Sequence, residues 1–493
     1  MIVLYNPWST PSKKKPLPMS LLSVASTLEG RYEYEIVDGN LEADPVGRIL
    51  DLGRQRQLTA IGITVMPGPQ LNHAVPDSRR LKAALPGVPI VWGGYFPSQH
   101  AETVLRDPSI DFCVRGQGEK TVLKLVETLL SGAAFSAIAG LSYREDSAPS
   151  GSIHHNQNHP LTPLDELPDW PYQKLPMERY FHKHYLGDRV GTHNSSYGCP
   201  FRCCFCPIVS IVNGKWVAQS PRRIEKVIRF QCEQYGADAV QFHDMDFFIS
   251  EERATEFAER IMNLGISWWA LGRIDELMRY SETSWRKIKA SGLKMVFCGA
   301  ESGSDEILKR MNKGGSASTH LTLELARRLR SYGVVPEFSF VLGQPPDPLA
   351  DIEATIRFVR RLKEVNPEVE VILYMYTPVP VDGVLYEEAR KLGFKFPETL
   401  DEWINDDWRD FSLRRDPHNP WLTLGLEQRV RSFERVLNAY YPTVTDSKIR
   451  GLKRTTLRAL GGWRYRREFY RLPIELRAFQ RLFGYQRPET SGF

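Results

Sequence analysis

The chain has 493 residues, 42 % hydrophobic and 25 % charged, which is more than one average domain core and excludes a disordered, collagenous or disulfide-scaffold polypeptide. Its formal net charge of +5 is small for this length, so nothing in the overall charge calls for a nucleic-acid partner and none is expected. Seven cysteines is an odd number, and four of them fall at 199, 203, 204 and 206, which fits thiolate chemistry in a reducing cytoplasm better than disulfide bonding.

The opening residues MIVLYNPW hold an apolar run only from Met1 to Tyr5, without the charged region or cleavage site of a signal peptide, and read as a first β-strand. No stretch approaches the roughly 20 apolar residues that span a membrane, so the expectation is a soluble, cytoplasmic protein that is at most peripheral to a bilayer. Residues 1–140 alternate short apolar strands (IVLYN, YEIVDG, AIGITVM, PIVWGG, DFCVRG) with helical runs such as HAVPDSRRLKAAL and KTVLKLVETLL. This rhythm predicts a doubly wound, Rossmann- or flavodoxin-like α/β domain with a parallel sheet. Its strands end in the glycine- or proline-rich turns MPGPQ, GGYFP and RGQGE, at the edge where open α/β sheets bind ligands.

Residues 141–188 turn polar and proline-rich and read as a linker with a small hairpin at most; His154 and His155 lie there in a polar setting and receive no role. From 189 to 390 the alternation returns with six strands, VGTHNSS, AVQFHDM, ISWWALGRI, MVFCGAES, EFSFVLG and VILYMYT, which predicts a full or partial (β/α)6 TIM-type barrel working at its C-terminal rim. Residues 391–493 have no βα rhythm and read as helical. From Arg450 onward they carry eleven Lys or Arg against three acids, interleaved with aromatics, a pattern that suits a solvated helix docking its aromatics, an interfacial helix in peripheral contact with a membrane, or a nucleic-acid stripe.

YGCPFRCCFCP follows the first barrel strand, and C-x3-C-x2-C is its chemical signal: Cys199, Cys203 and Cys206 supply three thiolates to a cluster that needs four ligands, leaving one iron open. A closed zinc site wants a fourth ligand, and no second Cys or His pair follows at zinc-finger spacing. A dithiol site would need only Cys203 and Cys206, in a thioredoxin-like context that the domain order does not offer. Cys204, between two ligands, reads as a bystander. A structural cluster in a sensor would want a fourth thiolate, whereas Cys232 and Cys298 fall on a predicted helix and strand.

These cysteines, with GAESGSDEILKRMNKG, VQFHDMDFF and WALGRID, make the chain resemble the radical S-adenosylmethionine (SAM) superfamily. The resemblance implies a 4Fe-4S cluster on the three cysteines, SAM on the open iron, and one-electron cleavage to a 5'-deoxyadenosyl radical, with an electron donor such as flavodoxin or ferredoxin. It places Phe205, Arg273, Glu301 and Ser302 at the SAM, and Asp244 and Asp246 at the catalytic rim. PLPMSLLSVASTLEG, TVMPGPQ, VWGGYFP and VRGQGEKT are similar to the subgroup with an N-terminal cobalamin domain, which includes carbon methyltransferases and an anaerobic ring cyclase. That likeness implies cobalamin at Thr64, Met66, Gly68, Gln70, Gly93, Gly94, Arg115, Gly116 and Glu119. The chain lacks a DxHxxG motif, reading VDGNLEAD after the second strand with His73 elsewhere, so cobalamin without a protein lower ligand is expected.

The reaction expected from the resemblance is methylation of an unactivated carbon of a small molecule, with radical cyclisation, oxidation or rearrangement as the alternative. Tyr374 and Tyr376 share one face of the sixth strand by two-residue alternation and are candidates to meet substrate, as is one of Trp268 and Trp269.

Overall fold

The computed structural model describes residues 1–145, 151–313, 317–412, 419–443 and 451–483. Arg450, Arg487 and Glu489 of the basic C-terminal stretch, and Gly314 of the MNKG element, lie outside them.

Strands β1 (Ile2–Asn6), β2 (Tyr34–Asp38), β3 (Ala60–Thr64), β4 (Ile90–Gly93) and β5 (Phe112–Val114) pair in parallel in the order β2-β1-β3-β4-β5. Two-residue alternation sends Val3, Tyr5, Ile61 and Ile63 to one face, under helices Pro45–Gln55 and Pro69–Ala84, and Ile2 and Leu4 to the other, beside helices Met19–Leu28 and Glu119–Ser131. The domain is therefore doubly wound. The sheet runs on into residues read as linker: β6 (Leu141–Arg144) and β7 (Ile153–His155) add an antiparallel hairpin to its edge. The helix read from His73 begins four residues earlier, at Pro69, because Gly68 at φ 88° turns the chain and a proline at the first helical position has no N–H to leave unpaired.

The second sheet has β8 (Val190–His193), then, after a small antiparallel clasp of β9 (Ser196–Gly198) and β10 (Trp216–Ala218), β11 (Ala239–Phe242), β12 (Ser267–Gly272), β13 (Leu293–Glu301), β14 (Val335–Leu342) and β15 (Glu370–Met375). Its order is β15-β14-β13-β12-β11-β8, all parallel, a six-stranded partial barrel whose ends do not meet. Trp268 packs outward under the surrounding helices. Trp269 faces the interior with Val190, Ala239, Met295 and Val335 and donates from Nε1 to Glu337 at 2.9 Å.

The segment after residue 391 is not merely appended. Phe396, Leu400, Trp403 and Trp408 complete the core of the first domain, and Arg79 bridges Asp107 and Asp401. Helices Leu424–Tyr440 and Leu452–Arg466 extend the outer core of the barrel through Phe433, Val436, Leu437 and Leu457. Among the described residues no helix is long and apolar enough to cross a membrane.

Candidate active site

Every motif of the second domain emerges at the C-terminal ends of its strands. The cysteine loop follows β9, and two other segments fasten it, Met311–Asn312 and the first domain's Gln99. Asn312 donates to the Arg202 carbonyl at 3.0 Å, the Cys204 amide donates to the Met311 carbonyl at 3.1 Å, and Gln99 of the first domain donates to the Pro207 carbonyl at 3.0 Å. Among the described residues Cys199, Cys203 and Cys206 form no disulfide, and burial pushes the Cys199 thiol up to about 12. Cys204 turns away from the loop's centre: its Sγ lies 3.3 Å from the Arg310 carbonyl, among Leu308, Met311, Tyr376 and Leu385. A Cβ on Gly383 would stand 2.9 Å from that of Cys204, so the VPVDGVLY segment closes directly over the cysteine loop.

Arg273 sits beneath the loop. Its Nη1 donates to the Cys203 Sγ at 3.4 Å, its guanidinium lies 3.7 Å from the Phe201 ring centre, and Asp275 and the Lys313 carbonyl hold its other nitrogens at 2.8 to 3.0 Å. Glu301 ends β13 at φ 65°, buried, in an ion pair with Lys313, whose Nζ also lies 5.8 Å from the Phe205 ring centre. The fold-back of Glu301 explains its neighbour: a Cβ on Gly299 would fall 1.9 Å from Glu301 Oε1. Ser302 donates to Asp351 at 3.3 Å and accepts from the Ser304 amide at 3.1 Å, so its hydroxyl fixes the loop.

The two rim carboxylates have different surroundings. Asp244 is buried and accepts from the Ser195 amide at 3.0 Å, the Ser195 hydroxyl at 2.8 Å and the Ser196 hydroxyl, so its oxygens hold the turn between β8 and β9. Asp246 keeps a buried Oδ2 with no hydrogen-bond partner, and burial raises its carboxyl to about 7 against the opposing pull of the Phe248 amide and Arg273. Tyr374 lines the central cavity. Tyr376 follows the last residue of β15, Met375, and is buried against Trp421 beside Cys204, the packing role that its place on the predicted strand also allowed.

That cavity holds about 1990 Å³, roughly twice the ~1,000 Å³ upper range of ordinary small-ligand pockets. It is continuous from the first sheet, at Leu4, Gly62, Thr64, Gly93, Gly94, Gly116 and Glu119, to Gly198 beside the cysteines and on to Trp269, Phe297 and Tyr374. Gly94 allows the close approach of two turns: at φ 95°, a Cβ there would meet Thr64 Oγ1 at 3.1 Å and the Val65 amide at 3.2 Å. Met66 and Gln70 also line it, though Gln70 spends its amide on the loop, accepting from Met66 N and donating to Asn6, each at 2.7 Å. Gly68 caps the helix behind them. Glu119 accepts from Ser23 at 2.5 Å, while its buried Oε2 has no hydrogen-bond partner. Arg115, expected at the cobalamin, donates to Asn158 at 2.7 Å and to the Asn156 carbonyl, both in the segment that follows β7.

Several wall residues escaped the sequence reading. Gly62 carried a usable signal, a glycine inside a strand where something approaches the sheet. Asn194, with a buried Oδ1 lacking a hydrogen-bond partner, and the latch from Gln99 carried none.

Two family descriptions match the chain, the B12 binding domain over residues 11–126 and the radical SAM superfamily over residues 193–359. An uncharacterized methyltransferase of Pyrococcus horikoshii is 29 % identical over 349 residues, 70 % of this chain and 73 % of that protein. The anaerobic magnesium-protoporphyrin IX monomethyl ester cyclase of Rubrivivax gelatinosus is 27 % identical over 344 residues, 67 % of this chain and 59 % of that protein. The solved structure of the radical S-adenosylmethionine methyltransferase TsrM from Kitasatospora setae, with cobalamin and a 4Fe-4S cluster bound, shares the fold. Its TM-score is 0.66 at 17 % identity, over 97 % of this chain and 99 % of that one.

Proposed function

We propose that this chain, a radical SAM enzyme with an amino-terminal B12-binding domain, methylates a carbon atom of a small-molecule substrate. The observation that carries the proposal is the single cavity running from the glycine turns of the first sheet, past the flank of the cysteine loop, to the interior strands of the barrel.

The residues present fit the three groups this reading requires. Three thiols on one fastened loop, with Cys204 turned aside, match a cubane that leaves one iron open, and Cys199, Cys203 and Cys206 would hold it. Among the described residues no three His, Cys, Asp or Glu side chains converge as on a single ion; a cubane takes each thiolate on a different iron. The cavity beside β3 and β4 fits cobalamin in size, and the orphaned Glu119 Oε2 and the close Gly94 turn fit a large polar ligand lying against the sheet. Phe205, Glu301 and Lys313 would contact SAM. When bound, the cluster and SAM supply one-electron radical chemistry, and cobalamin supplies a methyl carrier.

The chain's own groups position and shield. Arg273 steadies Cys203, Gln99 keeps the two domains in register at the cysteine loop, and Trp269, Phe297 and Tyr374 form an aromatic wall that limits water around a substrate. Asp246, raised to about 7, can hold or release a proton near neutrality at its free Oδ2. Electrons would come from a small carrier protein such as flavodoxin or ferredoxin.

Cyclisation or oxidation without methyl transfer is the second reading, supported by the likeness to the ring cyclase. The test is anaerobic reconstitution with iron, sulfide and cobalamin, followed by SAM and dithionite, with 5'-deoxyadenosine and S-adenosylhomocysteine scored by mass spectrometry. Both products support methyl transfer, deoxyadenosine alone supports the second reading, and a purified metal centre of zinc overturns both.

A further inference from the structure

Where the cavity meets helices Leu424–Tyr440 and Ile474–Phe483, its wall carries Arg431, Arg435, Arg477 and Arg481. Two acids, Glu427 and Glu434, stand on the same wall, which leaves an excess of two positive charges. The arginines come in pairs four residues apart, one turn of each helix, and like charges at that spacing destabilise a helix. The two pairs also act on each other: burial first, then the charge of Arg477, and to a lesser extent that of Arg431, push the Arg435 guanidinium down from its ordinary value against the opposing pull of Glu434.

The fold treats other arginines of this region differently. Arg464 is enclosed by Glu475 and the carbonyls of Phe469, Arg471 and Leu472. Arg435, half-buried, has the neutral Gln480 as its partner at 2.7 Å, and among the described residues neither Arg477 nor Arg481 has an ion pair. A repulsive set of guanidiniums facing the same cavity as Tyr374 is offset when an anion enters, since each fork presents paired N–H donors to phosphate or carboxylate oxygens.

We infer that this end of the cavity binds a phosphate or carboxylate group of the substrate, and that the enzyme's small-molecule substrate is therefore anionic. The inference rests on the proposed methyl-transfer site and names the substrate class for it.

The experiment is equilibrium titration of the full-length chain, reconstituted with its cluster and saturated with hydroxocobalamin so that the cofactor's own phosphate is already in place. Inorganic pyrophosphate and succinate are the two probes, followed by calorimetry at low salt. Saturable binding of either probe is expected, weakened about tenfold or more by Arg435→Gln and by Arg477→Gln and less by Arg477→Lys, which keeps the charge but loses the fork. The tighter probe tells phosphate from carboxylate. Arg477 is exposed, so its variant carries the test if Arg435→Gln fails to fold.

Absence of binding by both probes, or binding indifferent to these substitutions, overturns the inference. So does arginine-dependent sedimentation with phosphatidylglycerol vesicles when neither probe binds, which would assign the rim to a membrane surface. Because the titration needs no turnover, a failure of methyl transfer in the activity assay leaves its result readable.

Discussion

Arg273 donates from Nη1 to the Cys203 sulfur at 3.4 Å, and Asp275 and the Lys313 carbonyl leave its guanidinium no other place to go. A donor and a positive charge at a ligand sulfur stabilise the more negative, reduced cluster. Arg273→Met is therefore expected to move the potential of the reconstituted cluster negative by roughly 60 mV or more, taking one charge-assisted hydrogen bond as at least ~1.4 kcal/mol. Titration followed by electron paramagnetic resonance reads this directly, and an unchanged potential would remove Arg273 from the cluster's surroundings.

The four crowded cysteines should separate cleanly. Ala at Cys199, Cys203 or Cys206 is expected to abolish both iron retention and deoxyadenosine formation. Cys204→Ala should keep the cluster, because Cys204 points at the Arg310 carbonyl among apolar side chains. Iron content and visible absorption of the four variants check the assignment; loss of iron in Cys204→Ala would contradict it.

Gly62 lies on the sheet face that walls the cavity, with Leu4 at 3.3 Å from where a Cβ would stand. Gly62→Leu should intrude into that space and weaken hydroxocobalamin binding by about tenfold or more, while far-ultraviolet circular dichroism stays as in the wild type. Unaltered affinity would move the cobalamin elsewhere in the cavity.

Trp403 is 3 % exposed and packs on Phe96 and His100 with ring centres 5.0 and 4.8 Å apart, completing the first domain's core from the far end of the chain. Trp403→Ala is expected to cost roughly 3–5 kcal/mol in urea unfolding. A cost below about 1 kcal/mol would mean that the first domain stands without this segment.

In the same cluster, burial lowers the His100 pKa from 6.5 to about 4. The unfolded chain then binds a proton that the folded chain refuses, so stability is fully present above pH 6.5 and declines as pH falls toward 4, by roughly 3 kcal/mol at most. His100→Phe should flatten that part of the stability curve, and urea midpoints at pH 7 and pH 5 in both proteins measure it.

Much of this molecule is written locally. Short continuous apolar runs such as IVLYN and VILYM fix strands that must be covered on both faces, and their alternation with helices leaves few topologies besides a doubly wound domain followed by a parallel partial barrel. The cysteine motif is equally local, since three ligands on one loop need no distant residue to be recognised. What the sequence could not assign is how polar groups are paired, because a partner's distance in space has no relation to its distance along the chain. Asp244 and Asp246 are two residues apart at the same rim, yet the turn at Ser195 consumes the first and leaves an oxygen of the second free. Arg115 turns from the cavity because Asn156 and Asn158, just past β7 and some forty residues on in the chain, supply its acceptors. Arg435 and Arg477 become one charged wall because two helices pack together, and only tertiary packing turns a scattered basic tail into a site.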